Sequence, residues 1–292
     1  MLSLSEALQA AATKKQAIGH FNVSEFVTLS AVVSVARELQ LPVVVGVSEG
    51  ERKFLGVRSV AALVKNYREE FGQDVFLNAD HSRSLASVEE AARAGFDLIV
   101  FDAADKSFED NAKATKAAVE VAKSINPNIL VEGEIGYIGT GSEIHEDAAP
   151  VMPNYTSVQD ATQYMLATSV DLLAPAVGTT HGMLPGMIRG EQHKRLDIDR
   201  IAAIKKATDL PLTLHGGSGT ADDDFVRAIE AGISVIHINT ELRVAWRGGL
   251  EDALSKNPQE VVPYKLLPIA GERVSAIVRN RLGLFSRKGQ PN

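Results

Sequence analysis

Eight short apolar or β-branched runs recur along the chain, at 17–23, 43–48, 75–80, 98–103, 129–134, 172–177, 211–215 and 235–239. Between them lie longer stretches with helical periodicity, among them 25–40, 108–125, 197–208 and 221–232, several opening on acidic residues that suit a helix N-terminus. Strand and helix alternating eight times is met more economically by a closed parallel barrel than by two separate domains. The fold class is therefore α/β, a (β/α)8 TIM barrel. No Pro/Ser-rich linker or shift in composition divides the 292 residues, so one domain over 1–292 is expected. The connections at 136–155 and 181–195 are long and interrupted by Gly and Pro, as befits loops that border a site at the barrel's C-terminal face.

Composition narrows the chemistry. The chain has no cysteine, which excludes disulfides, thiol nucleophiles and Cys-held zinc, and leaves His, Asp and Glu for any metal. A net charge of -7 without a Lys/Arg block argues against nucleic acid or an anionic membrane as partner. The N-terminal segment lacks an apolar core of signal-peptide type, and no apolar run approaches the roughly 20 residues of a membrane span. A cytoplasmic protein is expected.

Strands buried on both faces should be apolar, so polar residues at their C-terminal ends demand a function. Asn22, Ser48, Asp80, His81, Asp102, Glu132, Glu134, His215, His237 and Asn239 stand at or near such ends, and His181 follows the sixth run. Barrel closure brings these ends to one mouth. Three imidazoles from three strand ends, His81, His181 and His215, form a recurrent set for catalytic zinc that keeps a coordination position open. Asp80, beside His81, is placed either to move a proton to or from a hydroxyl or to cap the next helix. Asp102 and Glu134 are candidates to orient metal-bound imidazoles or to bind a second cation. Of Glu132 and Glu134 only one is expected to face the mouth. His20, His145 and His193 carry no such signal, the latter two reading as loop surface. The Gly-rich turn Gly216-Gly217-Ser218, with Asn239 and Thr240 after the last run, occupies the usual phosphate position of the barrel.

In order along the chain, FNVSEF, LNADHS, GFDLIVFDAA, VEGEIG, AVGTTHG, LHGGSGT and NTELR resemble the class II, zinc-dependent fructose-bisphosphate aldolase family, which includes the tagatose-bisphosphate aldolases. The resemblance spans nearly the whole chain. It implies Asp80 as the acid/base at the C4 hydroxyl, His81, His181 and His215 as ligands of zinc or another divalent metal, and Asp102 and Glu134 as acidic residues around it. It also implies Gly182, Gly216 and Ser218 as loops for phosphate and a monovalent cation, Na+ or K+, with Asn22 and Ser48 near the substrate. A glutamate after the fifth strand would move the second proton, at C1 of dihydroxyacetone phosphate; Glu143 is the candidate and Glu146 its reserve. The implied activity is reversible cleavage of fructose 1,6-bisphosphate to dihydroxyacetone phosphate and glyceraldehyde 3-phosphate by a cytoplasmic homo-oligomer, dimer or tetramer. Tagatose 1,6-bisphosphate or another phosphorylated ketose is the alternative substrate, and a non-catalytic barrel subunit or a metal-dependent hydrolase the alternative class.

Three positions depart from the family's pattern. No Tyr-Lys follows His181-Gly182, leaving Arg189 or Lys194 to take the place of that lysine. His237 stands where the family usually has Asn, open to a substrate hydroxyl or to plain packing. The far-phosphate arginine has three candidates, Arg273, Arg279 and Arg281.

Overall fold

The computed structural model describes residues 1–139, 141–145 and 155–287. Eight parallel strands close in sequence order into one barrel: β1 (Ile18–Asn22), β2 (Val43–Val47), β3 (Val75–Ser82), β4 (Leu98–Phe101), β5 (Leu130–Ile135), β6 (Leu172–Pro175), β7 (Leu212–Leu214) and β8 (Ile233–Ile238). Helix α1 (Leu4–Thr13) precedes the barrel. Around it run α2 (Phe26–Leu39), α3 (Glu49–Leu55), α4 (Val57–Phe71), α5 (Leu85–Ala94), α6 (Phe108–Ile125), α7 (Val158–Thr168), α8 (Pro185–Ile188), α9 (Ile198–Thr208), α10 (Asp222–Ala231), α11 (Thr240–Lys256) and α12 (Pro263–Phe285). The eight expected runs are the eight strands, with ends moved by at most two residues. Among them β3 continues through His81 to Ser82, two residues past its expected end.

The interior is stacked in tiers. At the bottom Ile18, Val44, Phe76, Leu98, Leu172 and Val235 form a separate apolar cluster, and α1 closes it with Leu4, Ala7, Leu8 and Ala11. Full burial of each large side chain contributes about 1.5–3 kcal/mol. Helix α1 is held against the floor by its buried face and begins in a capping box between Ser3 and Glu6. One tier further up, the inward side chains of five strands turn polar: His20, Asn78, Glu132, Thr213 and His237 are all buried. Gly46 makes room there, because a Cβ on it would lie 2.1 Å from the His20 ring. The apolar helix-facing set, including Phe21, Val45, Leu77, Ile99, Leu214 and Ile236, packs against the surrounding helices.

The end of β3 is irregular in a way that matters above it. Ala79 pairs with Ile99 but Ser82 with Phe101, so three steps on β3 oppose two on β4. The extra residue is taken up at His81, which adopts the left-handed conformation with φ 47°. In a regular strand Asp80 and His81 would face opposite sides. The bulge turns both toward the mouth.

Candidate active site

At the mouth, Asn22, Asp80, His81, His181, Gly182 and Gly216 line a narrow cleft together with Ser142, Ser218, His237, Asn239 and Thr240. One nitrogen or oxygen of each of His81, Glu134, His181 and His215 lies within 4.8 Å of all the others. The three rings meet edge to face, with centroids 4.9, 5.0 and 6.1 Å apart. Two are oriented from behind. His81 Nδ1 donates to Asp102 Oδ2 at 3.0 Å, which frees Nε2. His215 Nε2 donates to Glu132 Oε1 at 2.6 Å, and the Thr213 hydroxyl donates to the other oxygen of Glu132. His215 Nδ1 then approaches Glu134 Oε2 at 3.1 Å, yet neither atom has a hydrogen-bond partner. Buried lone pairs without partners, converging from imidazole and carboxylate, are the donor set a divalent cation satisfies. The residues present fit such an ion.

Two other groups of acidic and imidazole side chains lie below, His20 with Asp80 and His237, and Glu132 with His215 and His237. Their geometry suits a metal less well. His20 and His237 stack at 3.5 Å between centroids, nearly parallel, and His215 stacks on His237 at 4.1 Å. Parallel rings aim their nitrogens side by side instead of at one point.

Electrostatics separate the imidazoles. Burial opposes protonation of His81, but Asp80, the Asp102 hydrogen bond and Glu134 outweigh it and hold the ring up at about 9. His215 is likewise held well above its usual range, its burial overcome by Glu132 and Glu134. Burial drives His181 and His237 well below that range, and His20 down to about 4. Positive charge is favoured where His81 and His215 meet the carboxylates. Asp80 stays ionised: burial opposes this, while His81, His20, His215 and the Asn22 amide outweigh it. Its Oδ2 accepts from Asn22 Nδ2 at 2.8 Å, and its Oδ1 has no partner.

The expected residues fall into three groups. Asn22, Asp80, His81, His181, Gly182, Gly216, Ser218, His237, Asn239 and Thr240 line the cleft, with His215, Glu134 and Asp102 against its imidazoles. Ser48 and Gly217 support it from outside: the Ser48 hydroxyl caps α3, and Gly217 N–H donates to the His237 carbonyl at 3.2 Å. A side chain at Gly217 would meet that carbonyl at 2.7 Å. Glu143 is exposed, its carbonyl accepting from Met183 N–H, and Glu146 lies outside the described residues. Glu132 and Glu134 correct the expectation that one of them faces away. Residues two apart in a strand share a face, and both reach His215.

The arginine candidates are occupied elsewhere. Arg189 pairs with Glu191 at the surface, Arg273 with Asp252, and Arg279 with Glu38. Arg281 binds Glu241 and Asp222. Lys194 is turned into the protein, onto the carbonyls of Thr180, Gly182, Gly216 and Ser218. Three of those residues had been assigned to a monovalent cation; here the carbonyls accept from a lysine.

Other residues of the site carried little signal in the sequence. Glu51, 6% exposed, accepts from Asn22 Nδ2, the Ser24 hydroxyl and Arg243 Nη2, and so holds the amide that holds Asp80. The Ser48-x-x-Glu51 spacing shows only its capping-box role. His20 Nε2 accepts from Asn78 Nδ2 at 2.9 Å, and the ring backs His237. Among the described residues the amides of Gly182, Gly216, Ser218 and Thr240 have no acceptor, and all four residues border the cleft. Such an array, with Thr240 opening α11, suits an anion.

A family model described as fructose-bisphosphate aldolase class-II matches residues 2–290. The chain is 32% identical over 293 residues to a probable fructose-bisphosphate aldolase of Bacillus subtilis (strain 168), covering 99% of each. It is 30% identical over 293 residues to the fructose-bisphosphate aldolase of Geobacillus stearothermophilus, covering 99% of this chain and 98% of that one. It also resembles the crystal structure of the YdjI aldolase from Escherichia coli K12, with a TM-score of 0.82, 27% identity and full coverage of both chains.

Proposed function

The chain belongs to the class II fructose-bisphosphate aldolase family, and from that premise we propose that it is a zinc-dependent enzyme cleaving fructose 1,6-bisphosphate reversibly into dihydroxyacetone phosphate and glyceraldehyde 3-phosphate. The observation that carries this reading is the pairing, in one cleft, of the His81, His181, His215 and Glu134 donor set with the unpaired oxygen of Asp80. Zinc accepts imidazole and carboxylate, and when bound there it supplies Lewis acidity toward the ketose oxygens and the charge that develops on them.

Asp80 takes the proton of the C4 hydroxyl through Oδ1. As the C4 carbonyl forms, the C3–C4 bond breaks and its electron pair passes into an enediolate. Asn22 and Glu51 fix the carboxylate while this happens. The free amides of Gly182, Gly216, Ser218 and Thr240 receive the phosphate of the dihydroxyacetone half. Glu143 is the proton donor to the hydroxymethyl carbon. It stands at the rim, next to Ser142 in the cleft wall. Glu143→Gln is expected to lower cleavage by about 10²–10⁴-fold while leaving metal content unchanged. Full activity in that variant would remove Glu143 from the reaction.

The deciding experiment is triose phosphate release from fructose 1,6-bisphosphate, with tagatose 1,6-bisphosphate in parallel, before and after chelation and return of zinc. Cleavage lost on chelation and restored by zinc is expected, and the ratio of the two rates fixes the sugar. Folded, zinc-replete protein that cleaves neither would overturn the assignment. We further place the enzyme in cytoplasmic sugar metabolism as a homo-oligomer. No helix among the described residues is long and apolar enough to cross a membrane. Phe54, 79% exposed beside Leu242, Trp246 and Leu267, gives an apolar face for a second copy. Light scattering that returns a 31.3 kDa particle would refute the oligomer.

A further inference from the structure

Lys194 is the least expected feature of the site. Its backbone pairs with the β7 loop, N–H to the Gly219 carbonyl at 2.9 Å and carbonyl to Ala221 N–H at 3.3 Å, and its side chain folds back beneath the mouth. There Nζ lies 2.6 Å from the carbonyl oxygens of Thr180 and Gly182, 3.0 Å from that of Gly216 and 2.7 Å from that of Ser218. Two of these belong to the loop after β6 and two to the loop after β7. Lys194 is only 6% exposed, and among the described residues no carboxylate lies within salt-bridge distance of it.

An ammonium has three N–H bonds, and four oxygens surround this one. The cage is organised for a centre of charge more than for a directional donor. Rings of backbone carbonyls are the means by which proteins replace the hydration shell of an alkali ion. Burial pulls the Lys194 ammonium down to about 7, with Glu241 opposing. Neutral amine would turn a lone pair onto one of the four oxygens, so the cage itself favours the charged form.

The loops are built for this approach. Gly216 has φ 63°, and a side chain there would meet the Thr180 carbonyl at 2.5 Å; Gly182 has φ 76°. Each caged peptide is also fixed at its other end, since carbonyl and N–H of one trans peptide point in opposite directions. His181 N–H donates to the Ile138 carbonyl, Met183 N–H to that of Glu143, Gly217 N–H to that of His237 and Gly219 N–H to Glu241 Oε1. The peptides in between are the ones whose amides, at Gly182 and Ser218, stay free at the cleft.

We propose that the Lys194 ammonium is a tethered monovalent cation: it stands where a free alkali ion would otherwise be needed to bind the β6 and β7 loops together, and it sets their anion-binding amides without K+ or Na+ from solution. Lys194 is thus a positioning residue. That the anion is a sugar phosphate rests on the aldolase reading; the cation replacement does not.

The test uses the whole protein and two variants, Lys194→Ala and Lys194→Gly, in buffers whose only cation is tetramethylammonium, too large for the cage. Tm is followed as KCl, NH4Cl or LiCl replaces tetramethylammonium chloride at constant ionic strength. The unsubstituted protein should not respond. The variants should melt lower and be raised saturably by K+ or NH4+, with LiCl much less effective. Binding of inorganic phosphate, measured by calorimetry, should weaken by about tenfold or more in the variants and recover with K+, since hydrogen bonds to a charged group are strong only while their donors are held in place. Variants indifferent to every small cation, variants that fold in neither salt, or a K+-dependent Tm in the unsubstituted protein would each overturn the proposal. None of these readouts depends on cleavage, so failure of the aldolase assignment would be seen separately.

Discussion

Asp80→Asn is expected to lower kcat for cleavage by about 10²–10⁴-fold, the range that a positioned acid/base contributes, with little change in metal content. The substitution is nearly isosteric. Asn retains an oxygen for the Asn22 amide at the place where Asp80 Oδ2 now accepts at 2.8 Å. What disappears is the basic oxygen, Oδ1, which lies buried with no hydrogen-bond partner, 3.6 Å from His237 Nδ1 and 3.8 Å from His81 Nε2. Circular dichroism and metal analysis should match those of the parent, so that the loss lies in proton transfer. A variant within tenfold of the parent would acquit Asp80 and direct attention to His237.

Replacing a ligand should have a different signature, and the three imidazoles should not behave alike. His181 makes no side-chain hydrogen bond or ion pair among the described residues, so His181→Ala removes a metal donor and little else. Its metal affinity should fall by more than the 10–100-fold that removal of a group hydrogen-bonded to a ligand costs, with cleavage falling in step and the Tm of the metal-free protein almost unmoved. His215→Ala should lose the metal and also destabilise the fold. It leaves Glu132, fully buried, with only the Thr213 hydroxyl, and breaking a buried pair in this way costs about 3–5 kcal/mol. Metal analysis and thermal unfolding of the two variants side by side would check this. Equal stability of both metal-free variants would show that the Glu132–His215 contact does not support the barrel.

The barrel was legible in the sequence because its signal is local: eight buried runs separated by amphipathic helices. The convergence of His81, His181 and His215 was legible because strand ends are where polar residues need a reason. What was not legible depends on closure and on direction. His20 has its meaning only because β1 pairs with β8 and sets it opposite His237. Glu132 was misread by a misapplied rule of alternation, which in fact puts residues two apart on one face. Ser48 and Glu51 form a helix-capping signature, and the further reach of Glu51 to Asn22 crosses 29 positions. Lys194 follows a Gly/Pro-rich loop, where nothing local foretells that its side chain turns inward. The bulge that aims Asp80 and His81 together has no strong marker either, since no Gly stands at the left-handed position and the run 75–80 reads as a regular strand.

The apolar floor beneath the polar tiers has a consequence for traffic. Among the described residues, Phe76, Leu98, Leu172 and their neighbours, stoppered by α1, close the lower end of the barrel. On the reading proposed above, ion, sugar and both fragments would reach His215 from the cleft side. With a metal and the sugar bound as proposed above, the centre would fill and empty as a stack, last in and first out: the metal would be seated before the sugar and shut in for as long as the sugar remained.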